Sequence, residues 1–151
     1  MSDGFIVRQP GEGRSNNAFA LPRVFKVSSS ETGGAFSLWE ETIPEGAGPP
    51  LHVHQGQHEV FAVLSGKVRF HCDGRDVEVD AGGVVCVPPD TPHTFKGTGS
   101  GDSRCLVMLT PGNGDEFFTT VEREGLNPGD HMDRIVAIGR AHGLEFVGPP
   151  L

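Results

Sequence analysis

The stretch Gly46-Ala-Gly-Pro-Pro-Leu-His52-Val-His54-Gln-Gly-Gln-His58-Glu59-Val-Phe61-Ala-Val63-Leu-Ser-Gly66 decides how this chain is read. His52 and His54 stand two residues apart, and side chains alternate along a strand, so both imidazoles point to one face. Two imidazoles aimed at one point form a chelate. After the break at Gln55-Gly56-Gln57 a second strand opens near Glu59, placing Glu59, Phe61 and Val63 on one face and Val60, Ala62 and Leu64 on the other. A fourth candidate, His93, heads a strand just after the stiff turn Pro88-Pro89-Asp90-Thr91-Pro92, whose prolines aim its side chain. Three His and one Glu form a mixed nitrogen and oxygen donor set for one divalent transition metal. Fe, Mn, Ni, Co, Cu and Zn all suit it, and an octahedral ion keeps open positions for chemistry.

Outward from this stretch, short apolar or alternating runs at 5–8, 23–27, 35–42, 59–64, 67–72, 76–79, 84–87, 93–96 and 104–109 read as strands. Between them lie Ser65-Gly66, Asp73-Gly74 and Ala81-Gly82-Gly83, where glycine supplies positive φ, and Asp73-Gly74 is a hairpin turn. Eight or nine strands at this spacing make an all-β sandwich or barrel, with a core over about 23–110. Beyond Pro111 the apolar period lengthens. Asn113 is placed to cap one short helix ending at Arg123, and Asn127-Pro128 opens a second with Met132, Ile135, Val136 and Gly139 on one face, giving a helical segment over about 113–142. Both helices are expected on the outside of the barrel.

The chain has 151 residues, a length for one domain over 1–151, and its 22 Gly and 12 Pro favour many short elements over a helical bundle. A formal net charge of −8 leaves no electrostatic footprint for nucleic acid or anionic membranes. No apolar run approaches a membrane span, and the start lacks a basic segment followed by an apolar one, so a cytoplasmic protein is expected. Cys72, Cys86 and Cys105 are odd in number and lie in strand-like runs, which reads as free buried thiols.

These residues resemble the cupin superfamily. Its first motif, Gly-x5-His-x-His-x4-Glu-x6-Gly, is matched by Gly46, His52, His54, Glu59 and Gly66, and its second by Gly82, Pro88 and His93. Two positions depart: Asp90 replaces a Gly of the second motif and Gly97 replaces its closing Asn. Glu31-Thr-Gly-Gly-Ala-Phe-Ser-Leu-Trp-Glu40 and Leu144-Glu-Phe-Val-Gly-Pro-Pro-Leu151 further resemble the small single-barrel cupins described as quercetin 2,3-dioxygenase-like. The resemblance implies a double-stranded β-helix, or jelly-roll barrel, with a metal held in its mouth by His52, His54, Glu59 and His93. It also implies a homodimer.

Each further residue has a plainer reading. Strand parity points His58 away from Glu59, which makes it a rim histidine unless the strand starts irregularly and brings it beside the ligands. His71, His131 and His142 read as surface groups. Leu51, Phe61, Phe95, Trp39 and Met108 are candidates to line an apolar substrate pocket, though any barrel core holds such residues. The function expected is a dioxygenase-type oxidoreductase acting on a small enol, phenol or aromatic substrate, and the resemblance to quercetinase-type cupins implies Glu59 as both ligand and proton acceptor. The alternatives are a redox-neutral isomerase or lyase, for which the absence of tyrosine leaves Glu59 or His58 as base, and a non-catalytic binding module.

Overall fold

The computed structural model describes residues 4–151. In chain order its strands are β1 (Arg14–Asn16), β2 (Arg23–Val27), β3 (Ser37–Ile43), β4 (His52–His54), β5 (His58–Ser65) and β6 (Lys67–Cys72). They continue as β7 (Arg75–Asp80), β8 (Val84–Val87), β9 (His93–Gly97) and β10 (Ser103–Thr110), followed by helices α1 (Gly114–Arg123) and α2 (Pro128–Ala141) and a last strand, β11 (Leu144–Phe146). One sheet runs β1-β2-β3-β10-β5-β8 and the other β11-β4-β9-β6-β7. From β3 to β10 the chain passes back and forth between the two sheets, the winding of a double-stranded β-helix.

Alternation explains the core. In β3 Ser37, Trp39, Glu41 and Ile43 are buried, and in β10 Ser103, Cys105, Val107 and Leu109, with the residues between them less buried. Phe61, Val63 and Val107 of the first sheet pack with Val68, Phe70 and Phe95 of the second in one apolar cluster. Rings of Phe61, Phe70 and Phe95 meet with centroids 5.1–6.1 Å apart.

Four sequence expectations are corrected. Residues 5–8 form no strand: Phe5 and Val7 stand 91% and 59% exposed, because alternation without a neighbouring strand gains neither ladder nor burial. The sheets instead reach beyond 23–110, taking in β1 and β11, three-residue strands too short to show a period. Asn113 sits at the start of α1 but its side chain caps nothing, since its ψ of 30° is not the extended cap conformation; Asn127, at ψ 149°, accepts from the Asp130 N–H. Cys86 is exposed on the outward side of β8, whereas Cys72 is half-buried and Cys105 buried.

The helices do lie outside the sheets. They bury Phe117, Val121, Ile135 and Ile138 against Ala18 and Leu144, and Phe118 reaches the barrel mouth, its ring 5.7 Å from that of Trp39. His71, His131 and His142 are half-buried; His71 pairs with Asp76, and His142 Nδ1 donates to Ile138 O at 2.9 Å. Among the described residues no helix is long and apolar enough to cross a membrane.

Candidate metal centre

β4, β5 and β9 bring His52, His54, Glu59 and His93 together at the mouth, all buried, with one donor atom from each lying within 4.8 Å of the others. His52 pairs with His93 across the two strands of its sheet, and Glu59 faces them from the other sheet. Glu59 Oε1 lies 2.9 Å from His93 Nε2 and 3.3 Å from His54 Nε2. Two ligands at right angles on an ion with bonds of about 2.1 Å stand about 3 Å apart, so this spacing suits a small divalent cation.

The aiming is local. His52 Nδ1 donates to Pro50 O and His93 Nδ1 to Thr91 O, each at 2.8 Å and each to the carbonyl two residues back, which turns Nε2 toward the common centre. Thr94 Oγ1 donates to Pro49 O at 2.7 Å, tying the two proline-stiffened approaches together. The motif departures fit this frame. Asp90 takes a left-handed φ of 63°, as the replaced glycine would, and its Oδ1 accepts from the Gly56 N–H at 3.1 Å. At Gly97 any Cβ would stand 2.6 Å from Pro44 O, so the close approach of chain there requires glycine.

Burial opposes charge on Glu59, yet His54 and His93 hold its carboxyl well below the usual range. His52, buried beside two other imidazoles, is pushed down to about 3. Burial also works against charge on His93, but Glu59 outweighs it and moves His93 above its ordinary value. His93 Nε2 and Glu59 Oε1 thus stand within hydrogen-bond distance, at a point where a cation can take the place of a shared proton. His54 Nδ1 is buried without a partner.

The cavity above the quartet is walled by aromatic rings. Of the residues expected there, Trp39 and Phe95 line it; Phe61 does not, since its side chain is taken up in the apolar core, with its ring 6.5 Å from that of His93. Leu51 and Met108 do not line it: Leu51 is half-buried beside Gly148, and Met108 falls on the outward parity of β10, next to inward Val107. His58 is exposed on the outer side of β5, as parity dictates, away from the ligands. Sequence reasoning missed Phe19, Phe117, Phe118 and Phe146, which come from the N-terminal turn, α1 and β11, and the buried ion pair Arg23–Glu41 at 2.7 Å. Glu41 shares the inward parity of Trp39, a signal available in the sequence. Burial raises the Glu41 carboxyl, with Arg23 opposing.

A family model described as the cupin domain matches residues 39–109. An oxalate-binding protein of Thermotoga maritima is 33% identical over 67 residues, 44% of this chain and 55% of that protein. An uncharacterized protein of Methanocaldococcus jannaschii is 33% identical over 109 residues, 72% of this chain and 75% of that one. The quercetin 2,3-dioxygenase of Bacillus subtilis is 29% identical over 107 residues, 71% of this chain but 30% of the dioxygenase. This chain thus spans about half of the oxalate-binding relative and less than a third of the dioxygenase. Among solved structures, a predicted oxalate decarboxylase from Thermotoga maritima superposes with a TM-score of 0.62 at 24% identity, covering 71% of this chain and 99% of that one.

Proposed function

This chain belongs to the cupin superfamily, and on that premise we propose that it is a metal-dependent oxidoreductase of the dioxygenase type, acting on a small enol or phenol. The observation that carries the reading is the buried quartet of three imidazoles and one carboxylate, of which His52, His54 and Glu59 open into an aromatic cavity. The likeness to a quercetin 2,3-dioxygenase supports it. His52, His54, Glu59 and His93 would hold the metal, which when bound supplies Lewis-acid and redox chemistry toward substrate and dioxygen.

The chain's own residues do the rest. Glu59 takes its imidazole contacts on Oε1, leaving Oε2 as the atom to accept the substrate hydroxyl proton. Trp39, Phe95 and Phe118 orient a flat substrate and keep water out. The open space is about 40 Å³, room for roughly three waters at ~10–15 Å³ each. A single ring therefore enters only as the wall gives way. Phe19, at a left-handed φ of 61° and followed by Ala20 at 56°, is the strained part of that wall.

Oxygen uptake tests the proposal. Protein reconstituted separately with Fe, Mn, Ni, Co and Cu is given a panel of flavonols, catechols and smaller enols. Substrate-dependent O2 consumption that falls at least about 100-fold in Glu59→Gln is expected, in line with loss of a general base. No consumption with any metal across the panel contradicts the proposal and favours a binding role, as the name of the Thermotoga maritima relative suggests.

A further inference from the structure

The Arg23–Glu41 pair in the cavity wall uses its hydrogen bonds unevenly. Arg23 Nε and Nη2 both donate to Glu41 Oε1, at 3.1 and 2.7 Å, and Nη1 donates to Asn16 Oδ1 and Ala18 O at 2.8 and 3.0 Å. Four of the five guanidinium N–H groups are thereby committed. The guanidinium also stacks 3.9 Å above the Phe118 ring. Glu41 Oε2, by contrast, accepts no hydrogen bond, although Glu41 is 4% exposed and lines the cavity.

Two residues earlier on the same inward face of β3, Trp39 lines the same cavity. It is 1% exposed and its Nε1–H has no acceptor. The buried Trp39 donor is costly to leave unmet, and Glu41 Oε2 is an acceptor left free on the same strand face. The metal quartet uses neither.

We propose that Trp39 Nε1 and Glu41 Oε2 form a recognition pair for a hydroxyl group of the substrate, so that the site selects neutral aromatic alcohols bearing a second hydroxyl over carboxylate anions. The assignment rests on the enol or phenol reading above. A hydroxyl donates to Glu41 and accepts from Trp39; an ether only accepts, and an ammonium only donates. A carboxylate would meet Glu41 as a like charge. Arg23 is the only Arg or Lys lining the cavity among the described residues, and Glu41 already neutralises it.

Trp39 is the chain's only tryptophan, so its emission reports cavity occupancy without turnover. Zinc-loaded protein, which has no redox chemistry, is titrated with resorcinol and hydroquinone, whose hydroxyls are too far apart to share one ion. Their monomethyl ethers, phenol and malonate complete the set. At least one diol is expected to bind about tenfold more tightly than its own ether, one good hydrogen bond's worth. Malonate is expected to leave the emission unchanged, and Glu41→Gln to abolish the diol preference while keeping zinc stoichiometric. The comparison of diol with ether in the unaltered protein stands alone if the variant fails to fold. Equal affinity of diol and ether, tight malonate binding, or an undiminished preference in folded Glu41→Gln overturns the assignment. If phenols bind without preference, only the recognition pair falls; if no phenol binds at all, the dioxygenase reading falls with it.

Discussion

At the scale of single residues, His52 and His93 are aimed by carbonyls two positions back, and what surrounds them sets their protonation. His52 is held at about 3 in the folded protein against 6.5 for an ordinary histidine. Between those values the unfolded chain binds a proton that the folded chain does not, so stability falls as pH is lowered through that window, by about 1.4 kcal/mol per pH unit at the steepest. Glu59, depressed in the folded state, adds to the loss below its unfolded value of about 4.3. His93, raised, works in the opposite sense: its contribution is complete below about 6.5 and disappears as pH rises through its folded value. Metal-stripped protein is therefore expected to be most stable near pH 6.5, with urea midpoints falling on both sides; a midpoint that goes on rising as pH is lowered below 6.5 contradicts these assignments. The four residues were legible in the sequence because strand parity and proline stiffness act over two or three positions. The exposed position of His58 followed from the same parity.

At the scale of elements, the core between the sheets holds an aromatic junction, Phe61 of β5 against Phe70 of β6 and Phe95 of β9, the last of which also lines the cavity. Phe61 is 1% exposed, so Phe61→Ala removes buried surface and leaves a cavity in the core. The expected cost is about 3–5 kcal/mol, read as a lowered denaturant midpoint at unchanged slope; a change under about 1 kcal/mol would place Phe61 outside the core. The strands β2, β5, β6 and β10 were legible from alternation, since each buries one face. β1 and β11 were not: three residues carry no period, and what makes them strands is a partner elsewhere in the chain, Phe25 for Arg14 and the distant His54 for Leu144. Residues 5–8 show the converse, a strand-like pattern with no partner beside it.

At the scale of the whole molecule, the cavity is a junction of distant segments: a β3 wall, the N-terminal turn at Phe19, α1 at Phe117 and Phe118, and β11 at Phe146. Sequence spacing brings out the candidate ligands but not which ring from residue 117 or 146 folds over them, so the four-residue cluster was legible and the pocket around it was not. The Arg23–Glu41 pair, 18 residues apart, was hidden for the same reason. The central claim is that His52, His54, Glu59 and His93 hold one metal ion. Its most direct test is elemental analysis of freshly purified protein beside His52→Ala and His93→Ala, with no metal added during preparation. The account predicts near-stoichiometric transition metal in the unaltered protein, and its loss in both variants with the apolar fold retained; a variant that keeps full occupancy, or an unaltered protein that is empty and refuses added metal, contradicts it.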